Sequence, residues 1–276
     1  MLKLYRDTVK ITNENIILAT PLILFMWILS LYIAYSKSAV GSIPLLLLTS
    51  VTILLMTSAF LSGWFYMVKK AIHLSKQVFV LDSDRSRAIL NLIKTIPAGI
   101  GKYFLSFLTQ IVVSIIIYIL IGLAIYKIGI LFIGDIGIDA TQLKAILSSS
   151  TTEIKAFLDS LTFEQLIKLN NWNLLLMCTT SLLSFLLMLW IPEIMYNTKN
   201  SFIALFSSIK KIFKKPLKSI KLFIFITILN FVLTLINSFS MISPFIYFLI
   251  MILYFYFLVY LVVLIFTYYD REFSEQ

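Results

Sequence analysis

The chain has 276 residues, of which 60% are apolar and 13% charged, and a mean hydropathy of +0.98. Soluble domains run near 45–50% apolar and about 25% charged, so this chain has too little polar surface to cover itself in water. It reads as an integral membrane protein. Its net charge of +10 is carried by short segments beside apolar spans, a membrane-orienting pattern that argues against nucleic acid as a partner. One cysteine, Cys178, excludes an internal disulfide framework, and one histidine, His73, leaves no His/Cys cluster for zinc or haem, so no cofactor is expected.

Residues 1–15 are polar, with Lys3, Arg6 and Lys10, and the apolar run 16–35 follows. That run is long enough to cross roughly 30 Å of hydrocarbon. It is also too long for a typical signal-peptide core, and Asp7 and Glu14 are unusual before one, so a retained helix is expected. A second span is read at 43–68. The polar connection Lys69–Lys102 carries seven basic residues against Asp82 and Asp84. Within it, Asp84 or Ser86 is placed to cap an amphipathic helix running to about Ile96, with Pro97, Gly99 and Gly101 ending it. The third span is read at 103–126.

The link 127–173 differs in carrying five acids. Its Ser150-x-x-Glu153 and Thr162-x-x-Gln165 patterns resemble capping boxes, which predicts short helices on the outer surface. Spans at 174–191, 222–238 and 244–266 complete six. The whole is expected to be all-α: a polytopic bundle with two cytoplasmic amphipathic interfacial helices and a short helical outer loop. With six spans, 18 of the 23 lysines and arginines fall on one side together with both termini. Positive residues are retained in the cytoplasm, so both termini are expected there, in a bacterial plasma membrane.

The segment Lys199–Lys221 carries seven lysines. On a helical wheel Phe202, Phe206, Ile209 and Phe213 line one face, with Lys210, Lys211, Lys214, Lys215 and Lys218 away from it, and Pro216 disfavours helix at Lys215. These lysines, with Arg85 and Arg87, are the candidates for contact with anionic headgroups or a cytosolic partner. Both basic segments follow a span ending in tryptophan (Trp64, Trp190) and lead into a lysine-started aromatic span, which suggests an internal repeat of 60–125 and 186–245.

Glu193, after Pro192 where the fourth span ends, is expected to meet a lysine of the next segment or a cationic partner. Gln110 and Asn230 are polar candidates inside spans, read first as amides that hold helices together. The aromatic sixth span reads as packing. Asp135 and Asp139 make a weak acid pair outside the membrane.

The run Trp190–Tyr196 followed by Ser201–Ser208 resembles the membrane domain attached to some bacterial glycerophosphodiester phosphodiesterases, and related six-helix proteins of unknown function. The resemblance implies the architecture and a loose link to lipids. These residues hold no phosphodiesterase domain, so the activity is not implied. Three roles stay open: a non-enzymatic transport or assembly component, a permease subunit driven by a cytosolic ATPase, and a lipid-modifying enzyme using Asp135 and Asp139.

Overall fold

The computed structural model describes residues 1–39, 41–137, 157–241 and 243–274, and among them every regular element is helical. In chain order these are α1 (Leu2–Glu14), α2 (Ala19–Ala39), α3 (Ile43–Leu74), α4 (Asp82–Asn91), α5 (Ile96–Phe132), α6 (Phe163–Leu187), α7 (Trp190–Tyr196), α8 (Ser201–Lys214), α9 (Pro216–Asn237) and α10 (Pro244–Glu272). Six helical segments among the described residues are long and apolar enough to cross a membrane, and only 6–28% of their apolar windows is buried within the chain. Side chains this apolar and this outward-facing require a hydrocarbon solvent. The chain is a multi-pass membrane protein.

The helices outrun the expected spans. Residues 1–15, read as polar, fold into α1, which packs along α10 and buries Leu4, Thr8 and Thr12. Their apolar and small residues share one helix face, a period hidden by the polar composition. Pro97, Gly99 and Gly101, expected to end a helix, instead sit in the first turns of α5, where a missing N–H is harmless. The Thr162/Gln165 box is made in full: Thr162 N–H donates to Gln165 Oε1 at 3.0 Å, and Gln165 N–H to Thr162 Oγ1 at 3.3 Å. It opens the long α6 rather than a short surface helix, so residues 163–173 belong to the fourth spanning helix. The Ser150/Glu153 box lies outside the described residues. The chain's last residues are likewise not a loose tail, because α10 runs on to Glu272 and buries Tyr268, Tyr269 and Asp270.

The chain forms two compact units, 113–185 and the remainder. In the larger, buried side chains concentrate where α3, α5, α7, α8 and the C-terminal half of α10 meet. Phe65 stacks on Phe107 of α5 at 5.5 Å and on Phe266 of α10 at 5.6 Å between centroids. Trp64 is 3% exposed and donates its indole N–H to the Leu18 carbonyl at 2.8 Å. α3 and α5 cross at two glycines. A Cβ on Gly99 would lie 2.9 Å from Gly63 Cα and from the Ser62 carbonyl oxygen, both backbone atoms that cannot swing away. In the smaller unit Gly129 packs flat against the Trp172 ring, whose indole N–H reaches the Gly134 carbonyl at 3.1 Å.

The crossing gives a paired test. Gly99→Ala should lower stability in detergent by about 1–3 kcal/mol through overpacking. Gly101→Ala, with nothing within 4 Å of its Cβ, should leave stability unchanged or raise it. Comparable melting points for the two variants would contradict the close crossing.

Candidate functional site

The break between α6 and α7 creates the site. Pro192 has no N–H to give the carbonyl four residues back, and its ring crowds that carbonyl, so α6 stops at Leu187 and α7 restarts at Trp190. Trp190 anchors the restart, its indole N–H donating to the Ser201 carbonyl at 2.8 Å. Asn200 caps α8, accepting from the N–H groups of Phe202 (3.0 Å) and Ile203 (3.2 Å). Pro216 ends α8, leaving Lys215 outside helical geometry at φ −132°, ψ 59° as the pre-proline restriction requires.

These turns carry Glu193, only 1% exposed, into the space between α7, α8 and α10. Its carboxylate accepts from Ser207 Oγ at 2.7 Å, Asn197 Nδ2 at 3.1 Å and Lys211 Nζ at 2.9 Å, and from the hydroxyl of Tyr269. That hydroxyl in turn accepts from Lys211 Nζ at 2.6 Å and Asn197 Nδ2 at 2.8 Å. A buried carboxylate is tolerated only when its lone pairs are filled and its charge is met, and here both conditions hold. Next to it, Lys69 Nζ donates to the Met195 carbonyl at 2.7 Å from above the Tyr196 ring, and Tyr103 Oη reaches the same carbonyl at 3.3 Å. A cation on the last carbonyls of α7 suits the negative end of its dipole.

The candidate lysines therefore divide. Lys211 is held by Glu193, while Lys215 and Lys218 pair with Glu272 at the end of α10, each at 2.8 Å. Lys210 and Lys214 are exposed and make no ion pair among the described residues. Arg85 pairs with Glu14 of α1, and Arg87 is exposed on α4. On α8 the residues Ser201, Ala204, Leu205, Ser208 and Ile212 face the protein, whereas Phe202, Phe206 and Phe213 are 52%, 70% and 65% exposed. Sequence reasoning placed Glu193 beside a lysine. It missed Tyr269 and Lys69, because a tyrosine at the polar end of an aromatic span and one lysine among seven basic residues carry no local signal.

A charged cleft of about 220 Å³ between α1, α3 and α10 is lined by Asp7, Lys10, Glu14, Lys76, Asp270 and Arg271. Lys76 pairs with Asp270, and Arg271 with Asp7 at 2.7 Å, so acids and bases cancel there. The guanidinium of Arg271 holds the Asp7 carboxyl below the usual carboxylate range. That link between the chain's two ends is thus present at neutral pH and lost as the pH falls through the lowered value.

Gln110 is half-buried in α5, and Asn230 is exposed on α9. Asp135 Oδ1 accepts from the Gly137 N–H at 3.1 Å in a tight turn, and Asp139 lies outside the described residues. Among the described residues no group of three or more His, Cys, Asp or Glu could hold a metal ion. No family model matches the chain, and no curated protein or solved structure is significantly similar to it.

Removing one partner of the buried pair leaves the other charge unmet. Glu193→Ala should cost about 3–5 kcal/mol, and Tyr269→Phe about 1–2 kcal/mol, both by SDS titration in mixed micelles. The double variant Glu193→Gln/Lys211→Met should lose less than the sum of its singles. Additive losses would show that the two groups do not interact.

Proposed function

We propose that this chain is a non-enzymatic, multi-pass plasma-membrane protein, a transport-related or membrane-assembly component. In this reading its basic end faces the cytoplasm and holds anionic lipid headgroups along α8. The observation that carries the proposal is the three-way division of that helix. One face packs on the protein, a second exposes Phe202, Phe206 and Phe213, and beside these stand Lys210 and Lys214 without acidic partners among the described residues. Exposed phenylalanines next to unpaired lysines suit a helix lying in the membrane interface, rings in the acyl boundary and ammonium groups among phosphates. The excess of positive residues at this end supports the cytoplasmic orientation.

The resemblance of Trp190–Tyr196 and Ser201–Ser208 to the membrane domain attached to some bacterial glycerophosphodiester phosphodiesterases is consistent with a lipid-linked role and brings no activity with it. The reading as a permease subunit draws on α4, which buries no side chain and exposes Leu90 and Arg87, as a helix docked to a cytosolic ATPase would. A lipid-modifying activity has less behind it, since Asp135 is engaged in its own turn.

Native mass spectrometry from nanodiscs of mixed phosphatidylcholine and phosphatidylglycerol tests the proposal. Each lysine at the surface contributes about 1 kcal/mol, so Lys210→Glu/Lys214→Glu should retain at least about thirtyfold less phosphatidylglycerol than the parent. Undiminished retention would contradict it, and co-purification of an ATPase lost in an Arg87→Glu variant would favour the permease reading.

A further inference from the structure

The α9–α10 hairpin contains a second feature at the end remote from the chain termini. A cavity of about 450 Å³ opens between the two helices, and Asn230, Asn237, Tyr247 and Tyr254 line it. Asn237 is the last residue of α9, and Asn230 lies seven residues inside it, about 10 Å at 1.5 Å per residue. Tyr247 and Tyr254 have the same spacing on α10. The cavity therefore runs from the mouth of the hairpin down into the spanning region.

The amides of Asn230 and Asn237 and the hydroxyls of Tyr247 and Tyr254 make no hydrogen bond among the described residues. Thr234, between the asparagines, returns its hydroxyl to the Asn230 carbonyl at 3.0 Å. Asn237 and Tyr247 sit at the helix ends, whereas Asn230 and Tyr254 lie seven and ten residues inside apolar helices, where a polar group without a partner is disfavoured.

The lining narrows what can answer it. No charged side chain faces the cavity, so a phosphate or ammonium group would enter without a counter-charge. The unmet atoms are neutral donors and acceptors, which match hydroxyl groups. The two tyrosine rings offer flat faces of the kind that pack on the C–H face of a sugar ring. Leu233 and Met251 continue the wall with apolar surface, and Tyr247 and Tyr254 are 57% and 49% exposed, so the site is open to the surroundings of the two helices.

A second copy of the chain is the competing occupant, through amide pairing between helices. That packing relies on small residues that let backbones approach. Of the residues lining the cavity only Thr234 is small, and its hydroxyl is turned back to its own helix. We infer that the cavity binds an uncharged, hydroxyl-rich lipid headgroup, a glycosyl diacylglycerol being the simplest chemistry that fits, held by Asn230, Asn237, Tyr247 and Tyr254.

The experiment uses the full chain in phosphatidylcholine nanodiscs carrying monoglucosyl diacylglycerol or, in parallel, phosphatidylglycerol, with retained lipid read by native mass spectrometry. The parent should keep the glucolipid over phosphatidylcholine. Asn230→Leu/Asn237→Leu should keep about tenfold less, the loss expected from removing neutral hydrogen bonds. Tyr247→Phe, which deletes one hydroxyl without altering packing, should show a smaller loss at unchanged melting temperature, which guards against misfolding as the cause. Excess free glucose should not displace the lipid. Equal glucolipid retention by parent and variants would overturn the inference, as would full displacement by glucose. So would a dimer that the asparagine variants abolish while lipid retention stays the same.

Discussion

The basic end of this protein depends on one buried negative charge. Glu193 enters a low-dielectric space because Pro192 breaks the fourth spanning helix, and it stays because α7, α8 and α10 each send donors to it. Take the carboxylate away and Lys211, Asn197 and Tyr269 lose their common acceptor at once. The pairing also has a directional effect on the fold. It draws the C-terminal end of α10 over α8, where Glu272 then meets Lys215 and Lys218. Two acids, far apart in sequence, thereby hold three lysines of one basic segment.

That division changes what a charge run means. Counted along the chain, the lysines of residues 199–221 form one patch. In three dimensions the ones nearest α10 hold the fold together, and Lys210 and Lys214 stand apart beside exposed phenylalanines. The same helix therefore has a structural side and an outward side. A substitution at Lys211 and one at Lys210 should have different consequences despite being adjacent in sequence.

Much of the architecture was legible because the signals are local. Apolar run length predicts six crossings, Pro216 predicts the end of α8, and the Thr162/Gln165 box predicts a helix start. The errors came where composition and structure diverge. α1 and the last turns of α10 are polar in composition, yet α1 packs on α10 and Asp7 meets Arg271, a pairing that spans nearly the whole chain. Glycines near Pro97 looked like a terminator, while their role is the close crossing of α3 and α5. Of the site, Glu193 and its lysine were readable from spacing along one segment. Tyr269, Asp270, Lys69 and Lys76 were not, because contacts between distant helices leave no periodic trace. Asn230, read as an amide joining helices, lines a cavity between α9 and α10 with Asn237.

If α8 lies in the membrane interface as proposed, its phenylalanines face lipid and Lys210 and Lys214 face water. Spin labels placed singly through Phe206→Cys, Lys210→Cys, Phe213→Cys and Lys214→Cys, in a Cys178→Ser background, measure this directly in reconstituted vesicles. Labels at 206 and 213 should collide with dissolved oxygen in preference to a water-soluble nickel chelate, and those at 210 and 214 should show the reverse. Equal nickel access at all four positions would rule out that placement and leave α8 a solvated or partner-covered helix.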